Sequence, residues 1–455
     1  MNPYIFREYD IRGVVADDFT PDVVTDLGRG FGSWLRRAGA WTCSISGDVR
    51  LTTPELKEHF TQGLLETGID VLDVGILPTP LNYYSMYVRK VDAAVQITGS
   101  HNPPEFNGFK LSYDQAAFFG PQIQEIKEII LNRDFESGDG RFIRDGGILQ
   151  QYLEEVGSKI TLERPLKVVL DAGNAAGGLA APQLFKALGA EVTELFCDID
   201  GNFPNHHPDP TVEKNLHYII EEMKTGKYDV GFAFDGDADR VGVIDEKGRI
   251  IWADQLMSLF LPEVITAPDT PIIFDVKCSQ VLEDEIRRHG GKAVMGKTGH
   301  SNLKQMMKDM KAPFGGEMSG HIFFADDYYG YDDAIYVAAR AAQMLSRGDR
   351  PMSAYLDALP KFVSTPEMRL EAVNDEEKFR IAREAFDYFT ANYDCITVDG
   401  VRIKFGDGWG LVRASNTQPV IVCRFEARST ERLDEIRSLV MNKLAEFGEL
   451  REDSH

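Results

Sequence analysis

The chain has 455 residues, 43% hydrophobic and 27% charged, with a formal net charge of −23 at pH 7. A single core stops growing at roughly 250 to 300 residues, so several domains are expected, and so acidic a surface speaks against nucleic acid or an anionic membrane as a partner. No apolar run approaches the ~20 residues that span a bilayer, the best one ending at Pro262, and the N-terminus lacks a basic-then-apolar leader, so a cytoplasmic location is expected.

The first elements repeat. A short apolar run ends in Ile45-Ser46-Gly47-Asp48, a helical pattern covers 53–66, Gly68 follows, and Val71-Leu72-Asp73-Val74 reads as a second strand. The same order returns with Val168-Val169-Leu170-Asp171, a helical stretch to Leu188, Gly189 and a strand over 192–196. It comes a third time with Ile272-Ile273-Phe274-Asp275, a helical stretch over 281–289, Gly290-Gly291 and Ala293-Val294-Met295. A buried strand, a glycine-terminated helix and a second strand make a βαβ unit, which implies parallel pairing with helices over the sheet. Spacing of about a hundred residues suits tandem related domains.

The last stretch differs. Strand-like 368–370, helix-like 376–390, short strands over 400–405, 410–414 and 420–426, and a closing helix over 430–447 predict a smaller α+β domain. The expected architecture is three tandem related α/β domains with mixed sheets flanked by helices, plus this C-terminal α+β domain, around a central cleft. The expected domains are 1–146, 147–247, 248–361 and 362–455. The five scattered cysteines have neither zinc nor redox spacing, so reduced thiols are expected.

Four loops could carry chemistry. Thr98-Gly99-Ser100-His101-Asn102-Pro103-Pro104 follows the apolar run 93–97, with Lys110 shortly after. A hydroxyl at the carboxyl end of a strand sits where open α/β sheets place ligands, although an ordinary serine turn explains these residues equally well. Asp235-Gly236-Asp237-Ala238-Asp239-Arg240 lies between two apolar runs. Along a straight strand alternate carboxylates stand ~6 to 7 Å apart, so they meet on one cation only if the backbone turns; an all-oxygen set then suits Mg²⁺. An EF-hand is rejected, because Arg240 stands at the loop's sixth position, where glycine is needed.

Gly315-Gly316-Glu317-Met318-Ser319-Gly320-His321 offers alternating Glu317, Ser319 and His321, a set able to grip vicinal sugar hydroxyls. A glycine-rich connection explains it as well. Arg413-Ala414-Ser415-Asn416-Thr417-Gln418-Pro419 holds a guanidinium, hydroxyls and an amide, the groups that bind phosphate, with a polar turn as the alternative. Tyr9-Asp10-Ile11-Arg12-Gly13 and Lys297-Thr298-Gly299-His300 each place a cation beside glycine.

Together, in this order and one per domain, these loops resemble the α-D-phosphohexomutase superfamily from Phe6 to Arg428. Phe6-Arg7-Glu8-Tyr9-Asp10-Ile11-Arg12-Gly13, Asp275-Val276-Lys277-Cys278-Ser279 and Gly316-Glu317-Met318-Ser319-Gly320-His321 are most similar to the bacterial phosphomannomutase/phosphoglucomutase branch. Gln418 departs from the family, which often has Thr there.

The resemblance implies a phosphoryl group on Ser100 and Mg²⁺ held by Ser100, Asp235, Asp237 and Asp239. It implies interconversion of hexose 1- and 6-phosphates of mannose, glucose or both, through a 1,6-bisphosphate. Arg12, Lys110 and Arg240 would neutralise charge, and Lys110 or His300 would move the hydroxyl proton. Glu317 and Ser319 would hold the 3- and 4-hydroxyls, with Lys277 and His321 nearby and Tyr9 and Gly299 beside the sugar. Arg413, Ser415, Asn416 and Thr417 would hold the distant phosphate. Small hexose phosphates are the expected partners of a monomer, a dimer being the alternative. A phosphoglucosamine mutase and a metal-dependent sugar phosphatase are the competing readings.

Overall fold

The computed structural model describes residues 1–415 and 420–452. In the first domain the strand Thr42–Gly47 pairs in parallel with Asp70–Ile76 on one side and Ala93–Ile97 on the other. Ala93–Ile97 then pairs antiparallel with Phe106–Tyr113. The second domain repeats this with Lys167–Asp171, Glu191–Leu195, Val230–Phe234 and Val241–Asp245. The third repeats it with Pro271–Asp275, Lys292–Gly296, Phe314–Gly316 and Ile322–Phe324. Each time the spatial order is second, first, third, fourth strand. That order puts the connection from third to fourth strand at the carboxyl end of a buried parallel strand, where open α/β sheets bind ligands. The serine, aspartate and glutamate loops occupy this one position in their respective domains.

The helices bury one side against the sheets. Thr53–Glu66 buries Leu56, Phe60 and Leu64, four residues apart along one side. Two departures from expectation have local causes. The second repeat's helix splits into Ala176–Leu179 and Ala181–Ala187, because Gly178 is pressed against the backbone of Cys197, where a Cβ would fall 2.2 Å from a carbonyl oxygen. The apolar run before Pro262 becomes the helix Ala253–Val264, which carries the proline within its last turn. No helix among the described residues is long and apolar enough to cross a membrane.

The fourth domain is a mainly antiparallel sheet ordered Cys395–Ile396, Val401–Lys404, Gly408–Ala414, Val420–Ala427, Met368–Glu371, Arg451–Glu452. Its helices Asp375–Asn392 and Thr430–Phe447 are capped by Asn374 and Ser429, whose side chains accept backbone N–H groups. One continuous apolar cluster runs through the first three domains, including Tyr84, Tyr152, Phe185, Phe260 and Tyr336. The fourth domain has its own core and meets the third through the small cluster Val276, Trp409 and Leu411.

Candidate active site

Ser100 sits at φ 49°, in the left-handed region that non-glycine residues rarely enter. Its loop is held from below by the carboxylate ending the first strand. Asp48 accepts from Thr98 Oγ1 at 2.8 Å and from Gly99 N at 3.2 Å. Ser100 Oγ donates to Asp235 Oδ2 at 3.1 Å and lies 3.1 Å from His101 Nδ1. The two loops touch through Gly236, where a Cβ would fall 2.2 Å from the Ser100 carbonyl oxygen.

The aspartate loop does turn. Ala238 has φ 57°, and one oxygen of each of Asp235, Asp237 and Asp239 lies within 4.8 Å of the others, all three side chains being buried. Lys110 Nζ donates to Asp237 Oδ2 at 2.7 Å and Asp239 Oδ2 at 2.5 Å, so it partners this cluster rather than Ser100. Burial and the Asp239 and Asp237 charges push Asp235 well above the usual carboxylate range. Asp239 is held well below it: burial opposes ionisation, and Lys110 and His321 outweigh burial. Burial likewise works against a charged Lys110, yet Asp237 and Asp239 raise it well above its ordinary value. Asp237 Oδ1 is buried with no hydrogen-bond donor among the described residues. Three converging carboxylates and an orphaned oxygen fit a hard divalent cation.

The glutamate loop faces the same centre. His321 Nδ1 lies 3.0 Å from Glu317 Oε2 and from Ser319 Oγ, and His321 Nε2 is 3.2 Å from Asp239 Oδ1. Burial disfavours the imidazolium, but Asp239 pushes His321 up to about 9. His300 stacks on it with ring centroids 4.8 Å apart, and Asp332 Oδ2 holds His300 Nδ1 at 2.6 Å. Burial lowers His300 despite Asp332. Gly299 N donates to Glu317 Oε1 at 2.6 Å, and its φ of 123° with Tyr9 packed on its Cα explains the glycine. Tyr9 hydroxyl donates to Thr298 O at 2.8 Å, tying the N-terminal segment to the third domain. Arg240 Nε lies 3.8 Å from Asp235 Oδ2, and Arg12 Nη1 donates to Asn102 Oδ1 at 2.9 Å. Arg12 also pairs with Asp10.

Lys277 and Arg413 lie where the third and fourth domains meet. Lys277 Nζ pairs with Glu367 Oε2 at 3.0 Å, and Arg413 Nε donates to Asp399 Oδ2, which also accepts from Thr298 N. Ser415 is buried and its carbonyl accepts from Lys378 Nζ. Asn416 and Thr417 lie outside the described residues. The Lys277 charge holds Glu367 down at about 2, below its ordinary 4.5. A depressed carboxylate contributes stability that is present above its unfolded value and lost as the pH falls through the folded one. The difference in urea midpoint between wild type and Glu367→Gln is therefore expected to shrink as the pH is lowered from about 7 toward 3.

Three contributors escaped the sequence reading. Thr79 Oγ1 donates to Asp237 Oδ2, and Asp332 orients His300. Arg50, 1% exposed, donates to the carbonyl oxygens of Ser100, Asn102, Pro103 and Phe106 while its Nε pairs with Asp48. Only the position of Arg50 two residues beyond Asp48 hinted at it. Arg50→Ala would leave Asp48 buried without its cation and take a donor from all four carbonyls, of which Pro103 O keeps the Phe106 N–H. It is expected to cost about 3 to 5 kcal/mol in chemical denaturation and to disorder the Ser100 loop. An unchanged denaturation midpoint would contradict this role.

Known proteins are similar to this chain over nearly its whole length. "Phosphoglucomutase/phosphomannomutase, alpha/beta/alpha" domains I, II and III match residues 3–137, 150–248 and 252–362, and that family's C-terminal domain matches 366–443. A phosphomannomutase/phosphoglucomutase of Pseudomonas aeruginosa is 44% identical over 443 residues, 97% of this chain and 95% of that one. A phosphoglucomutase of Neisseria gonorrhoeae is 42% identical over 95% of each chain. A crystal structure of a phosphoglucomutase/phosphomannomutase family protein from Burkholderia thailandensis superposes with a TM-score of 0.93 at 42% identity, covering 99% of both chains. With four domains matched in order and relatives aligned over nearly the full length, the chain belongs to the phosphoglucomutase/phosphomannomutase family of the α-D-phosphohexomutase superfamily.

Proposed function

We propose that this phosphohexomutase interconverts the 1- and 6-phosphates of both mannose and glucose, with Ser100 as the phosphoryl carrier and a hexose 1,6-bisphosphate as intermediate. The observation that carries this reading is the Ser100 hydroxyl bonded to Asp235 at the edge of a buried three-carboxylate cluster. Asp235, Asp237, Asp239 and an oxygen on Ser100 would hold Mg²⁺. When bound, that ion would neutralise charge on the phosphoryl oxygens and help hold the group in line.

Phosphoserine gives its phosphoryl group to the free hydroxyl of the bound hexose monophosphate. The bond from Ser100 Oγ to phosphorus breaks, one from the sugar oxygen forms, and the hydroxyl proton leaves. After the bisphosphate turns over, its other phosphoryl group returns to Ser100 and a proton is restored to the sugar. Lys110 and His300 are the groups for this proton. His300 is favoured, since Asp332 orients its Nδ1 while two carboxylates hold Lys110 as an ammonium. Arg12 and Arg240 would balance phosphoryl charge. Glu317 and Ser319 would read hydroxyls 3 and 4, with Lys277, His321, Tyr9 and Gly299 completing the sugar site. Arg413, Ser415, Asn416 and Thr417 would clamp the far phosphate. The separate core of the fourth domain supports a clamp that closes and reopens for the turnover.

Glucose and mannose differ only at carbon 2, so a grip on hydroxyls 3 and 4 accepts both, in keeping with the names of the relatives. A coupled assay should give kcat/KM values for mannose 1-phosphate and glucose 1-phosphate within roughly tenfold of each other. Faster turnover of glucosamine 1-phosphate would move the chain to the phosphoglucosamine branch. Phosphate release without isomerisation would make it a phosphatase.

A further inference from the structure

A cavity of about 400 Å³ lies between the first and third domains. None of the residues assigned above to the catalytic or substrate site lines it. Its volume falls within the range of small-molecule sites. In a chain of net charge −23, the charged residues lining it are three lysines, Lys304, Lys308 and Lys311, with no carboxylate among the described residues there. Four tyrosines, Tyr83, Tyr87, Tyr329 and Tyr331, form its aromatic wall. Tyr329 and Tyr331 lie parallel within 2°, and Tyr83 meets Tyr331 edge-on at 5.5 Å. Met86 and Met307 supply soft, adaptable surface.

We propose that this cavity is a regulatory site for a small aromatic anion of the nucleoside phosphate class. A flat ring suits the tyrosine and methionine surface, and the phosphates suit ammonium groups that lie on the third-domain side. A bare phosphate would leave the aromatic wall wet. An uncharged ring would leave the lysines unused. The substrate offers no such ring.

The cavity is wired to the catalytic centre through Lys304. Its Nζ lies 4.6 Å above the Tyr83 ring and pairs with Asp332 Oδ1 at 2.6 Å. The other oxygen of that carboxylate holds His300. An anion in the cavity competes with Asp332 for Lys304 and so loosens the support of His300. The ligand should lower kcat and leave the KM for hexose phosphate nearly unchanged, because it does not enter the sugar site.

Isothermal titration calorimetry of the intact enzyme tests this with adenosine 5′-diphosphate, pyrophosphate and adenosine, each in the presence of saturating glucose 1-phosphate. The diphosphate should bind with a dissociation constant below about 1 mM and at least roughly tenfold more tightly than either fragment. Lys308 and Lys311 are both exposed and stand outside the catalytic machinery. The double variant Lys308→Glu/Lys311→Glu should weaken binding by roughly tenfold or more while its basal kcat stays at the wild-type value. Displacement of the diphosphate by glucose 1-phosphate, equal affinity for pyrophosphate, or unchanged affinity in the double variant would each overturn the site. Binding that leaves kcat unchanged would overturn its regulatory role.

Discussion

Replacing Ser100 by alanine is expected to lower hexose phosphate interconversion by about four orders of magnitude or more and to remove one phosphoryl group from the mass of the intact protein. The size of the effect follows from geometry. The carrier must stand beside the carboxylate cluster, and Ser100 Oγ is the hydroxyl bonded to Asp235. His101 Nδ1, 3.1 Å from that oxygen, is a neighbouring nucleophile, so phosphohistidine is the rival species. Phosphohistidine is lost in acid and phosphoserine survives, so mass measured after acid treatment separates them. Alanine bears the same left-handed backbone as serine, and the loop keeps the Thr98, Asp48 and Arg50 bonds that shape it. Melting should therefore shift little while activity vanishes. Interconversion near the wild-type rate in this variant would end the phosphoserine reading.

Asp237→Asn is expected to reduce kcat/KM on the order of 10³-fold and to raise the Mg²⁺ concentration needed for half-maximal activity. A chelator should inactivate the wild type, and added Mg²⁺ should restore it. Asp237 Oδ1 is a buried oxygen of the cluster with no hydrogen-bond donor among the described residues, so the change removes a charge from the proposed cation site. The amide oxygen can still accept from Thr79 Oγ1 and Lys110 Nζ, the two partners of Asp237 Oδ2. Removing one of three mutually repelling carboxylates also relieves repulsion. Loss of activity without loss of stability is the expected signature. A variant whose activity no longer depends on Mg²⁺ yet stays high would sink the metal assignment.

The two predictions rest on residues of different legibility. The aspartate loop announced itself, because three carboxylates between two buried strands have little reason to exist without a counter-charge. Ser100 did not, since a serine turn after a strand is common; the other loops gave it meaning. Arg50, Thr79 and Asp332 left almost no local trace. Each acts on a partner remote in sequence, Arg50 on carbonyls some fifty positions away and Thr79 on Asp237 in the next domain. Lys110 is legible in the sequence as a cation near the chemistry, but its partners are carboxylates of the second domain rather than Ser100.

Short-range pattern along the chain is enough to specify the local elements. Glycine-terminated helices between buried strands specified three βαβ repeats, because period and punctuation are local properties. The helix over Thr53–Glu66 and the closing helix Thr430–Phe447 stand where their apolar spacing put them. Which charges meet depends on how the domains pack. Only the repeated strand order sends the serine, aspartate and glutamate loops to the same end of three sheets, and only packing of those sheets on one core turns the ends toward each other. Electrostatic partnership falls off with distance in space, not along the chain, so the cation that sits on Asp237 and Asp239 could be named only once the domains had closed around it.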